Sequence, residues 1–164
     1  MKQTADLFAL AFFLSTCFLL GSVGGMVTAT SVNTWYPNLE KPFLTPPDWV
    51  FAPVWSILYL VIGLSGWLIW RQRAPERKKA LLIFLIQLGF NLAWPFIFFG
   101  ARLIGTALIE ITVLLIVIIV NIIAFWRIKP LSGLLMLPYA LWVAYATVLN
   151  VSIWILNWIK KPFR

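Results

Sequence analysis

The sequence predicts an all-α integral membrane protein, a five-transmembrane-helix bundle. Its 164 residues are 62% hydrophobic, and only 11% of them are charged. Soluble domains carry about 25% charged residues, so this composition could not cover the surface of a soluble protein. A helical span takes about 20 apolar residues, and five spans of that length occupy most of the chain. We therefore expect a single membrane domain over residues 1–164.

Five apolar stretches are long enough to cross the bilayer as helices. They are residues 7–28, 49–70, 80–99, 103–126 and 131–159. The first stretch is long and lacks a clean small-x-small cleavage site, which favours a span over a cleaved signal peptide. Pro95 and Pro138 lie inside the third and fifth stretches. Each removes a backbone hydrogen bond and should kink its helix.

The first connection, residues 29–48, is the one long loop, and it contains four prolines beside Trp35 and Tyr36. A proline-rich loop with exposed aromatic residues is either an interfacial belt or a lid. Thr45, two prolines and Asp48 follow one another and resemble a capping box. The second helix should therefore begin at the first of these prolines.

Basic residues cluster at the ends of the apolar stretches, which indicates membrane topology and lipid contact rather than nucleic-acid binding. The side that would hold the N-terminus and the second and fourth loops has eight Lys and Arg, and the other side has five. By the positive-inside rule, we expect a multi-pass protein of a bacterial inner membrane with a cytoplasmic N-terminus.

Two residue types needed for much of enzyme chemistry are scarce. The chain has no histidine and a single cysteine, Cys17, within an apolar stretch. A disulfide within the chain is therefore excluded, and we expect no metal site and no required cofactor.

Polar side chains inside a span are informative because lipid does not solvate them. Gln87 and Asn91 are four residues apart, so they share one helix face, with Trp94 nearby. They should point inward, either to bond a neighbouring helix or to meet a ligand. Glu110 lies about two turns into the fourth stretch. It could be a proton or ligand partner, but we favour the interpretation that it reaches water at the interface.

Aromatic residues recur at helical spacing on two further stretches, where Trp55 and Trp142 lie at least one turn inside the predicted membrane boundary. The first stretch presents Gly21 and Gly25 on one face, which permits close packing or leaves room for a bulky ligand. Aromatic stripes are often core, but together they predict a cavity for a flat, largely apolar molecule held by stacking. The expected cavity residues are Trp55, Tyr59, Asn91, Trp94, Tyr139, Trp142, Ala146 and Asn150.

Four blocks of sequence occur in a characteristic order. They are residues 35–42, residues 46–55, NLAWPFIFFGAR (91–102) and PYALWVAYATVLN (138–150). In these blocks the chain resembles the TspO/MBR family, the tryptophan-rich sensory proteins that include the mitochondrial translocator protein. The resemblance implies a five-helix bundle whose first loop is a lid over a pocket. It also implies a homodimer, for which Gly89 and Ala93 offer a small-xxx-small pair, although the same pair could instead serve packing within one bundle.

The family binds tetrapyrroles such as protoporphyrin IX and haem, and also sterols and synthetic isoquinoline or benzodiazepine ligands. Carried over by position, the implied ligand-binding residues are Tyr36, Trp55, Asn91, Trp142 and Ala146. Trp55 and Trp142 also match the tryptophans that some bacterial members need for light-dependent porphyrin breakdown. The resemblance thus leaves three functions open: a tetrapyrrole receptor or sensor, which we favour, a tetrapyrrole or sterol transporter, and a photo-oxidative enzyme.

Two departures from the family pattern bear on the ligand. Phe43 and Leu44 stand where many relatives have a small residue followed by tryptophan, so the lid lacks one aromatic residue. Residues 151–156 lack the tyrosine and basic residue of the animal sterol-recognition pattern. Tetrapyrrole binding is therefore expected ahead of high-affinity sterol binding.

Overall fold

The computed structural model describes residues 2–158, and within that range it contains five long helices and no strand. The helices are α1 (Lys2–Val32), α2 (Phe51–Trp70), α3 (Arg77–Pro95), α4 (Ile104–Ile128) and α5 (Pro130–Trp158). Each is long and apolar enough to span a membrane, which confirms the predicted five-helix membrane fold. In the bundle, α4 packs against α3 and α5, and α2 packs against α1 and α5.

The bundle has two ends. At the N-terminal end, α1, α3 and α5 begin and α2 and α4 end. There the Trp67 indole donates to the Asp6 carboxylate at 3.2 Å, and the Arg71 Nε lies 3.2 Å from the same carboxylate. These contacts fasten α1 to the end of α2. The connection between α1 and α2 covers the opposite end, which we call the lid end.

The start of α2 differs from the prediction. α1 continues to Val32, and α2 begins at Phe51 after a 3₁₀ turn, Asp48–Val50. The predicted capping box is wrong, because the Thr45 hydroxyl donates to the Pro42 carbonyl at 2.8 Å and caps no helix. A proline disfavours helical geometry in the residue before it, so the two adjacent prolines delay the helix.

Pro95 ends the regular part of α3. A π-helical turn, Phe96–Gly100, follows it, and the Ala101 N–H donates to the Phe96 carbonyl at 2.8 Å. Pro95 has no N–H to donate, and the hydrogen-bond register changes after it, while the predicted kink at this position stays a prediction. Pro138 lies within α5, whose helical assignment continues on both sides. A kink at that position stays a prediction.

Glycines on α1 and α2 set the distance between these helices. A Cβ at Gly21 would overlap the Tyr59 ring, and a Cβ at Gly63 would lie 2.9 Å from Leu14. At Gly25, one turn further toward the lid end, a Cβ would have nothing within 4 Å. Both interpretations of the glycine face therefore apply, since Gly21 permits close packing and Gly25 leaves open space.

Candidate ligand-binding cavity

A cavity of about 520 Å³ lies within the bundle beneath the lid. Its volume is in the range of small-molecule binding sites. Eight of the nine sequence-predicted site residues line it: Tyr36, Trp55, Tyr59, Asn91, Trp94, Trp142, Ala146 and Asn150. The ninth, Tyr139, is fully buried and is absent from the lining. Most residues that the sequence predicts to face inward therefore belong to the cavity wall, while ligand binding by them stays a prediction.

The two tryptophans inside the spans, Trp55 on α2 and Trp142 on α5, both belong to the aromatic wall. Trp55 stacks on Tyr59, with ring centroids 5.3 Å apart and planes 27° apart. Trp142 meets the edge of Phe51 at 5.9 Å. Both indoles are only partly buried, and neither indole N–H bonds to another described residue. Each ring therefore offers the cavity an aromatic surface and an unused hydrogen-bond donor.

Asn91 connects three helices through two tyrosines. The Tyr59 hydroxyl donates to Asn91 Oδ1 at 2.7 Å, and Asn91 Nδ2 donates to the Tyr139 hydroxyl at 3.0 Å. Asn91 is 5% exposed, so these bonds form in the buried core. Asn91 therefore bonds to neighbouring helices, one of the two roles expected from the sequence, and these bonds join α2, α3 and α5.

Asn150 has a similar structural role nearer the lid end. Its Oδ1 accepts from the Trp94 indole at 3.3 Å, and its Nδ2 donates to the Ile104 carbonyl at 3.0 Å. The carbonyl belongs to the first turn of α4. Asn150 thus holds Trp94 in place and ties α3 and α4 to α5, although it also reaches the cavity wall.

Glu110 does not reach water, which corrects the interpretation favoured from the sequence. It is 8% exposed, and neither carboxylate oxygen has a hydrogen-bond partner in the described part of the chain. The residue occupies a face of α4 that is covered because α4 packs against both α3 and α5. Gln87 is also buried and unpaired on both amide atoms. Neither residue lines the cavity.

The lid is fastened to α5 at two points. The Asn157 side chain accepts from the Glu40 N–H at 3.1 Å and donates to the Glu40 carbonyl at 3.0 Å. The Tyr145 hydroxyl donates to the Leu44 carbonyl. These bonds hold the loop across this end of the bundle, while its role as a lid over a bound ligand stays a prediction.

Of the two lid residues that line the cavity, Asp48 is exposed and Tyr36 is buried. Tyr36 is 7% exposed and packs against Phe98 and Phe99, and the Lys41 ammonium lies 4.5 Å from its ring centre. Burial, followed by the nearby Asp48 carboxylate and a second phenol, raises its pKa from 10.0 to about 12. The hydroxyl therefore stays protonated at neutral pH and can donate a hydrogen bond into the cavity.

Several lining residues were missed from the sequence. Phe98 stacks on Trp94 with centroids 4.9 Å apart, and both Phe98 and Phe99 reach the cavity. They lie seven and eight residues after Asn91, a spacing that returns to the same face of a helix, so continuing the helical pattern past Pro95 could have found them. Phe51 was also missed, although it lies four residues before Trp55 on the same face of α2 and helical spacing could have found it.

Comparison with known proteins agrees with this architecture. The profile of the TspO/MBR family matches residues 13–155, nearly the whole described chain. The chain belongs to the TspO/MBR family. Among relatives of this TspO/MBR protein, the Tryptophan-rich protein TspO of Archaeoglobus fulgidus is 38% identical over 138 residues, which cover 84% of this chain and 90% of that protein.

Two further relatives come from other domains of life. The Translocator protein of Homo sapiens is 37% identical over 123 residues, which cover 73% of each chain. The Tryptophan-rich sensory protein of Cereibacter sphaeroides is 32% identical over 152 residues, which cover 93% of each chain. Family membership and the five apolar helices together make this TspO/MBR protein an integral membrane protein.

Proposed function

We propose that this TspO/MBR protein is a membrane receptor or sensor that binds flat, largely apolar tetrapyrroles, such as protoporphyrin IX or haem, beneath the lid. The observation that carries the proposal is the pair of partly exposed indoles, Trp55 and Trp142, in the wall of the 520 Å³ cavity. Their ring faces suit stacking on an extended π-system, at about 0.5 to 1.5 kcal/mol per contact beyond burial.

The polar groups around the cavity suit a ligand whose edge carries hydrogen-bond acceptors. The N–H groups of Trp55 and Trp142 have no partner among the residues that the structure describes, and the Tyr36 hydroxyl is a protonated donor at the lid. A tetrapyrrole has an apolar ring system and carboxylate side chains, so it can use both kinds of wall. Iron adds little, because the chain has no histidine to bind it and Tyr36 is not a phenolate at neutral pH.

We also propose a homodimer in a bacterial inner membrane with the N-terminus in the cytoplasm. Gly89 is exposed on α3, and a Cβ there would have nothing within 4 Å, so a second copy could approach this helix closely. The excess of basic residues at the N-terminal end supports the orientation.

The binding proposal is tested with two matched leucine variants. Gly25 and Gly89 are both exposed glycines with open space around an added Cβ, but only Gly25 lines the cavity. Protoporphyrin IX is titrated in the dark against purified wild type, Gly25→Leu and Gly89→Leu, with affinity expressed per chain. We expect Gly25→Leu to weaken binding and Gly89→Leu to leave it unchanged.

Equal, undiminished affinities in both variants would place the porphyrin outside this cavity. Two further experiments distinguish a receptor from a porphyrin-degrading enzyme and from a transporter. Loss of porphyrin absorbance that requires both light and Trp142 would assign photo-oxidative breakdown. Saturable porphyrin uptake into sealed proteoliposomes would assign transport.

A further inference from the structure

A second cavity, of about 370 Å³, lies at the N-terminal end of the bundle between the start of α3 and the end of α4. It shares no lining residue with the aromatic cavity. Its walls are formed by Glu76, Lys79, Ala80, Ile83, Ala124, Arg127 and Ile128. One part of this lining is charged and the remainder is aliphatic, so a ligand there would need both a charged and an apolar portion.

The cavity lies at the level of the membrane–water interface. Trp126, beside Arg127, is 47% exposed, and Trp70 at the neighbouring end of α2 is 37% exposed. Exposed tryptophans at helix ends mark the headgroup region of a bilayer. On the inner side, Asn121 Nδ2 donates to the Ala80 carbonyl at 3.3 Å and holds α3 and α4 together below the cavity.

The two cations of the cavity are available to a ligand. Lys79 and Arg127 are exposed, and neither makes a hydrogen bond or an ion pair with a described residue. Glu76 is exposed and equally unpaired, so it neutralises neither cation by direct contact. By contrast, the neighbouring Arg77 donates to the carbonyls of Trp70 and Gln72 at 3.1 and 3.0 Å.

We propose that this cavity binds the headgroup of an anionic phospholipid. Arg127 can hold two phosphate oxygens with its guanidinium fork, and Lys79 supplies a second positive charge from α3. Ile83, Ala124 and Ile128 contact the glycerol and the first methylenes of the acyl chains. Basic pockets between transmembrane helices at the headgroup level have the chemistry that such lipids require. Inorganic phosphate shares the charge but cannot use the aliphatic wall.

The test measures the thermal unfolding of the detergent-solubilised protein during titration with phosphatidylglycerol, phosphatidylcholine or inorganic phosphate at one ionic strength. A ligand that binds only the folded state raises the unfolding temperature as it saturates its site. The site variant is Lys79→Gln with Arg127→Gln. The matched control is Arg73→Gln with Lys78→Gln, which removes the same charge from exposed residues at the same end but outside the cavity.

We expect phosphatidylglycerol to stabilise the wild type and the control variant alike, and to bind the site variant at least about tenfold more weakly. Phosphatidylcholine and inorganic phosphate should raise the unfolding temperature of all three proteins less than phosphatidylglycerol raises that of the wild type. If both double variants lose the stabilisation by phosphatidylglycerol equally, the lipid responds to the general surface charge of this end, and the proposal is overturned. An equal effect of inorganic phosphate in the wild type would also overturn it, because the apolar wall would then contribute nothing.

A third variant tests the cavity itself rather than its charge. Ala124→Leu keeps both cations but fills part of the aliphatic wall. In protein of unchanged helicity, this variant should also weaken phosphatidylglycerol binding. Full retention of binding would contradict the role of the cavity.

Discussion

Replacing Trp142 by alanine should weaken protoporphyrin binding without unfolding the bundle. The indole is partly buried at the cavity wall, and its ring contacts within the protein are edge or tilted contacts with Phe51 at 5.9 Å and Tyr145 at 5.7 Å. No hydrogen bond to another described residue is lost on truncation. The main consequence of the substitution should therefore appear in binding rather than in stability.

The expected loss of affinity has two parts. Stacking on the porphyrin is worth about 0.5 to 1.5 kcal/mol beyond burial. If the ligand covers about half of the roughly 200 Å² that a tryptophan can bury, the hydrophobic contribution is about 2.5 kcal/mol at 25 cal/mol per Å². The sum, about 3 to 4 kcal/mol, corresponds to roughly a 200-fold or greater rise in the dissociation constant.

The assay is an equilibrium titration of protoporphyrin IX in the dark, with circular dichroism to verify equal helicity. Trp158→Ala is the control, because Trp158 is 66% exposed, does not line the cavity and packs only against Trp154 among the described aromatic rings. Its affinity should match that of the wild type. If Trp158→Ala weakens binding as much as Trp142→Ala, the ligand lies at the membrane interface and the reasoning fails.

Four further predictions address other parts of the molecule. Asn91→Leu should lower the free energy of unfolding by about 1 to 2 kcal/mol, because the phenols of Tyr59 and Tyr139 lose their shared amide partner. The same variant should reduce porphyrin affinity less than Trp142→Ala does. A larger loss of affinity in Asn91→Leu than in Trp142→Ala would make the amide a direct ligand contact. Protoporphyrin IX should bind at least as tightly as haem in parallel titrations, and a haem preference above about tenfold would reveal a protein ligand to iron. Gly89→Leu should shift the detergent-solubilised protein toward monomer in sedimentation, whereas an unchanged profile would exclude this helix face from the dimer. The phenol of Tyr36 should titrate near pH 12 in the alkaline difference spectrum between wild type and Tyr36→Phe. Because folding raises the pKa of this phenol, its contribution to the stability of the folded state is complete below pH 10 and is lost as the pH rises through 12. Titration near pH 10 would mean that the lid is open.

Much of the fold could be predicted because the bilayer constrains sequence locally. Within a span, every backbone group must bond within its own helix and lipid-facing side chains must be apolar, so the number and approximate positions of the helices follow from composition. Helical periodicity then identified Trp55, Trp142 and five of the other residues that the structure places at the cavity, whereas Tyr36 came from the resemblance. Phe98 and Phe99 lie at helical spacing from Asn91 and could also have been found, whereas the π-helical form of the turn after Pro95 has no signature in the sequence beyond the proline itself.

The amino-acid sequence by itself determined a five-helix membrane protein with an aromatic interior, because hydrophobic length and spacing are properties of each segment alone. Only the tertiary structure decided that Glu110 is covered by two neighbouring helices, that the Asn91 amide joins two tyrosines, and that Gly21 closes the gap between α1 and α2 while Gly25 leaves it open. These outcomes depend on which faces of distant segments meet. A residue's own helix sets the direction in which its side chain points. Whether another side chain fills the space there depends on a different part of the chain.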